Sequence, residues 1–173
     1  MDIHREDTAI VFIDPQNDVL SEKGLAWPVV RESLQENNTI ENMERIFKAA
    51  KTHGFEVFIS PHYFYPTEKG WKFNGPLETD EATSGLFARK GVLNLDGLEG
   101  SGADWLERFK PYIEDGKTIV VAPHRVWGQR PTISFYSYAN ARSARSFWVE
   151  CSPTCASNLT CANCLSKVSR SQS

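Results

Sequence analysis

Three short apolar runs punctuate this chain, each closed by a polar or proline-containing turn. Thr8 to Ile13 is apolar at almost every position, as in a strand buried on both faces of a parallel sheet. Asp14 closes the run, and Pro15, Gln16, Asn17 and Asp18 stop it. Asn38 and Thr39 predict the start of a helix reaching about His53. Ile40, Met43, Phe47 and Ala50 share one face of that helix, and Gly54 follows its C-terminus. Phe55 to Ser60 predicts a second strand, ended by Pro61 and His62. Residues 61–100 are rich in Gly, Pro and aromatics and show no clear period, which predicts a functional loop or lid. Ser101 opens a second helical stretch with Trp105, Leu106 and Phe109 facing inward, and Pro111 ends or kinks it. Thr118 to Ala122 predicts a third strand, followed by Pro123, His124 and Arg125.

Strands alternating with helices predict an α/β fold with a parallel sheet. In such folds ligands bind beyond the carboxyl ends of the strands, which is where Asp14 falls. Three strands make a small sheet, since about five or six is usual. More would be needed after residue 128, and the sequence there predicts none.

Composition changes this picture in one place. The chain has 173 residues, 40% hydrophobic and 24% charged, with a net charge of −3. That is room for one domain and excludes a wholly disordered or collagen-like chain. A mildly acidic balance argues against a nucleic-acid binder acting through bulk charge. No apolar run approaches the roughly 20 residues of a membrane span, so no membrane partner is expected. The N-terminal MDIHREDTAI has no apolar secretory core, and a cytoplasmic location is expected.

The averages conceal a break after Gly128. Residues 1–128 carry 21 acids against 14 bases; residues 129–173 carry one acid, Glu150, against five bases. All 11 glycines precede the break and all four cysteines follow it. The last 45 residues hold ten serines, yet keep Phe135, Tyr136, Tyr138, Phe147 and Trp148, which is unusual for a disordered tail.

The segment AIVFIDPQNDVL resembles the first strand and active-site turn of the isochorismatase-like cysteine hydrolases. FEVFISPHYFYP, GWKFNGPLE and GSGADWLERFKPYIEDGKTIVVAPHRVWG follow in the order that family shows, so the resemblance covers about residues 5–128. It implies a three-layer αβα, Rossmann-like fold with a mainly parallel sheet, here truncated after the third strand. It also implies hydrolysis of a small amide or related acyl substrate by a Cys nucleophile with an Asp and a Lys, without a cofactor. The chemistry links these types: a thiol must become a thiolate to attack a carbonyl, a carboxylate takes its proton, and a cation balances the carboxylate. Asp14 matches the general base. Relatives carry the Lys near the end of the third strand, and here that stretch reads APHRVWG, a departure in which Arg125 is the nearest basic residue. Its fork is bulkier and its pKa higher, and two roles stand open for it: charge balance, or binding a substrate carboxylate. Gln16, His62, Trp71 and Trp127 are candidate pocket residues, with Tyr63 and Phe73 beside them. Some relatives add a metal through an Asp-x-His pair after the second strand. Here that place reads Ser60-Pro61-His62, so His62 and His124 are expected to be pocket or structural residues and no metal is expected. The family also implies a small-molecule partner and a homo-oligomer.

The family's nucleophile turn is missing from the sequence as translated. Read one base earlier with synonymous codons, residues 150–173 spell GMLANMCVESHLRELLEQGFEVAV. Residues 130–149 then read approximately TNDLVLQLRKRGISKVILGG, an amphipathic helix, a basic turn and a buried strand in the expected order. Residues 129–173 therefore read as a frameshifted tail joined to an incomplete hydrolase domain at 1–128, a chain expected to lack activity. Two alternatives stand beside this. Cys155 and Asp14 could still form an active pair. Alternatively, Cys151, Cys155, Cys161 and Cys164 could form a non-enzymatic zinc or partner-binding cluster, although only Cys161 and Cys164 have a familiar CxxC spacing.

Overall fold

A computed structural model describes residues 3–68 and 75–124, and the backbone of residues 145–150. The elements run β1 (Thr8–Ile13), α1 (Asn17–Leu20), α2 (Trp27–Glu36), α3 (Thr39–His53), β2 (Glu56–Ser60), α4 (Pro76–Ser84), α5 (Lys110–Ile113), β3 (Ile119–Val120) and β4 (Arg145–Glu150). The strands form one sheet in the order β3-β2-β1-β4 with every pair parallel. The fold is thus α/β with a parallel sheet, as expected.

Both faces of β1 are buried. Ala9, Val11 and Ile13 join Phe58 and Val121 in one cluster, while Phe12 belongs to the other with Val57 and Ile59. A strand covered on both sides has no polar face, hence its unbroken apolar run. The second cluster is completed by α2 through Val30 and Leu34, α3 through Met43, Phe47 and Ala50, and α5 through Ile113. Phe12 and Phe47 stack at 3.5 Å between ring centroids, fixing α3 across β1.

Helix α3 matches its expected span, and Gly54 ends it with φ 72°, a left-handed conformation glycine adopts without strain. Its start differs: Asn38 is itself left-handed, with φ 47°, and makes no side-chain cap bond. Helix α2 was not expected. Its buried Val30 and Leu34 follow Trp27 at helical spacing, and Pro28 sits in the first turn, where a missing N–H costs nothing.

The helix expected from Ser101 is replaced by turns, a 3₁₀ turn at Glu107–Phe109 and the short α5. Between residues 101 and 106 much of the backbone serves the turn after β1 rather than a helix. Asn17 N–H donates to the Asp104 carbonyl at 2.9 Å, Asp18 N–H to Gly102 at 2.8 Å, and Leu106 N–H to Pro15 at 3.0 Å. Within the expected lid, Pro76–Ser84 forms α4.

A fourth strand departs from the sequence expectation. β4 pairs with β1 along its whole length, Thr8 opposite Arg145 through to Ile13 opposite Glu150. No strand was expected beyond residue 128. Phe147, Trp148 and Val149 are strong strand formers, and a buried central strand with an open edge provides the pairing that selects them. With four strands the sheet remains below the usual five or six.

Candidate functional site

The site grows from the C-terminal ends of β1, β2 and β3, which lie side by side in the parallel sheet. Asp14, the first residue past β1, has φ 51°. A non-glycine residue in this region is held there by its surroundings, and such strain concentrates at functional positions. Its N–H donates to the Ser60 carbonyl at 3.1 Å, so pairing with β2 continues one step beyond the strand.

Two histidines meet this carboxylate's neighbourhood. His124, past β3, places Nε2 3.2 Å from Asp14 Oδ1, and its Nδ1 lies 2.9 Å from Ser60 Oγ. His62, past β2, packs its ring 5.0 Å from that of His124 and stacks on Phe87 at 4.8 Å. Its Nε2 is 3.3 Å from Oε2 of Glu81 on α4. Asp14, Ser60, His62, Glu81 and His124 are all buried. One ligand atom from each of Asp14, His62 and His124 fits within 4.8 Å of the others.

Gln16 is fully buried and its amide is committed to backbone. Nε2 donates to the His62 and Ala103 carbonyls at 2.9 and 2.7 Å, and Oε1 accepts the His62 N–H at 2.8 Å. It therefore fixes the backbone of His62 against the turn after β1. Asp18 works similarly: its buried carboxylate accepts the amides of Leu25 at 3.2 Å and Phe87 at 2.6 Å. Tyr63 packs with Tyr65 and Ala103, under the Arg89 guanidinium 4.5 Å from its ring. Burial pushes its phenol up to about 12, so it stays neutral near pH 7. A cleft of about 420 Å³ opens beside α1 between Asn17, Asp18, Gly24 and Gly102, and neither Asp14 nor the histidines line it.

Of the residues singled out from sequence, the structure brings together Asp14, His62 and His124, with Gln16 bracing them. Trp71, Phe73, Arg125, Trp127 and the four cysteines, Cys155 included, lie outside the described residues. Glu81 was missed. Its helix, PLETDEATS, has no apolar face to show which side turns inward.

A parallel α/β domain with a strained carboxylate at the end of its first strand belongs to the class that builds ligand sites at strand C-termini. Residues 8–125 match the Isochorismatase domain, and the chain belongs to the isochorismatase family. That membership supports a hydrolase-type function on small molecules. No curated protein matches the chain. Among the described residues, no helix is long and apolar enough to cross a membrane.

Proposed function

We propose that this chain is a cysteine hydrolase of the isochorismatase family, built for a small amide or related acyl substrate, whose nucleophile segment has been lost to a change of reading frame. One observation carries this reading. The family match ends at residue 125, three residues before the charge and glycine content of the chain change at Gly128. The position of Asp14 at the end of β1, with φ 51°, supports its role as the general base of this reading. In the intact arrangement Asp14 takes the thiol proton, and backbone amides near the nucleophile stabilise the oxyanion. Arg125 directly follows His124 and serves as the counter-charge in place of the family Lys. Without the thiol the carboxylate has no proton to accept and no nucleophile forms, and hydrolysis stops.

A second reading draws support from β4. It runs parallel to β1 with Glu150 opposite Ile13, so the chain leaves the sheet at the end where Asp14 lies. In that reading Cys155, five residues further on, is the nucleophile of an active enzyme.

The test compares two purified proteins on a panel of small amides and ureides: the 173-residue chain, and a chain re-encoded so that residues after 128 follow the neighbouring frame. We expect turnover only from the re-encoded protein, lowered at least about 100-fold by Asp14→Asn. Inactivity of both proteins overturns the proposal. Turnover by the 173-residue chain that disappears in Cys155→Ala overturns it in favour of the second reading.

A further inference from the structure

We propose that Asp14, which on the reading above has no thiol to serve in this chain, binds one divalent transition-metal ion of the zinc class together with His62 and His124. The three residues come from the ends of three adjacent strands, so the sheet itself holds them together. Their ligand atoms all fall within 4.8 Å of one another, and all three side chains are buried. Two imidazoles and one carboxylate are the donor set of a zinc site that keeps a fourth position open. The 3.2 Å between His124 Nε2 and Asp14 Oδ1 is close to the edge of a zinc tetrahedron, about 3.4 Å for bonds of about 2.1 Å.

The surroundings favour a cation. Ser60 Oγ engages His124 Nδ1 at 2.9 Å and leaves Nε2 facing Asp14, the outer-shell contact that orients a metal-binding imidazole. Gln16 anchors His62 through its own backbone, and Phe87 supports the ring from one face. His62 Nε2 makes no hydrogen bond; its polar neighbour is the Glu81 carboxylate at 3.3 Å. Asp14 and Glu81 thus set two buried carboxylates beside two buried imidazoles, so oxygen and nitrogen donors of the kind zinc takes converge on one buried spot. This ligand set differs from the Asp-x-His pair that some relatives place after the second strand. Ser60 occupies that acidic position here, and the carboxylate comes from β1 instead.

The experiment titrates metal-stripped, full-length protein with Co²⁺ and follows visible absorption, then displaces the cobalt with Zn²⁺. We expect one equivalent, visible ligand-field bands of low-coordinate cobalt, no thiolate charge-transfer band, and a melting temperature raised by Zn²⁺. His62→Asn and His124→Asn should abolish the bands, and Ser60→Ala should weaken binding about tenfold or more. Circular dichroism checks that each variant folds. If one histidine variant does not, the other and Ser60→Ala still decide the question. A chain with Cys151, Cys155, Cys161 and Cys164 all changed to Ser should bind as before. Absence of saturable binding overturns the proposal. So does binding that persists without both histidines, or binding lost with the cysteines, which assigns the ion to the tail.

Discussion

At the residue scale, the turn after β1 depends on side chains whose polar atoms are fully engaged with backbone. Gln16 ties two strand ends and the 103 loop through three hydrogen bonds, and Asp18 ties α1 to Leu25 and Phe87. Close approach is part of this arrangement. A Cβ at Gly102 would collide with the Asp18 carboxylate, while the Gly102 carbonyl accepts the Asp18 N–H at 2.8 Å. The carboxylate cannot retreat without releasing the amides it accepts. Gly102→Ala is therefore expected to destabilise the protein by about 2 kcal/mol, read as a lower urea midpoint with unchanged slope. An unchanged midpoint would show that the loop shifts freely. Gln16 and His62 were recognisable in sequence as residues near the site. That Gln16 serves backbone was not, because its three partners lie 46 and 87 positions away.

At the element scale, α3 is secured by aromatic packing across β1. Phe47 is fully buried, stacks on Phe12, and lies 5.2 and 5.5 Å from the rings of Phe109 and Tyr112. Phe47→Ala removes one side of all three contacts, and rigid strand and helix backbones prevent collapse of the space. The expected cost is about 4 kcal/mol, measured by chemical denaturation. A cost below about 1 kcal/mol would contradict the packing described. Helix α3 was legible because its apolar period of three and four matches one buried face. Helix α4 was not, since its buried Glu81 follows no apolar stripe. The stretch after Ser101 carries a helical apolar period, yet its amides and carbonyls are used by residues 15–18, and tertiary hydrogen bonds override local preference.

At the scale of the molecule, two charge networks tie α3 to the segment leading into β3. Lys51 reaches Asp115 at 2.7 Å, and Arg108 pairs with Glu41 and Glu44. Partial burial pushes Asp115 up, but the Lys51 ammonium and the amides of Lys117 and Thr118 outweigh it and hold the carboxyl at about 2. Hydrogen bonds from Lys48 and Arg108 hold Glu44 at about 2 as well. Both folded values lie below the ordinary ones, so the stabilisation is present above about pH 4.5 and fades as pH falls toward 2. Melting temperature is expected to fall over that window, less steeply in Asp115→Asn and Glu44→Gln and less steeply in high salt. Identical acid profiles for wild type and both variants would show that these pairs are silent.

The sequence by itself determined the α/β class, the three strands of the first 125 residues, the α3 face and the position of Asp14 at a strand end. These rest on local periods and on turn residues that act within a few positions. It also exposed the change of character at Gly128, because composition is a property of the chain alone. Only the tertiary structure decided that Arg145–Glu150 pairs with β1, since a strand of mixed pattern is selected by an open edge elsewhere in the chain. Only the tertiary structure brought His124 to Asp14 and Ser60, and Glu81 to His62. Those distances follow from the parallel order of β1, β2 and β3, which sets residues 14, 62 and 124 side by side although nothing local links them.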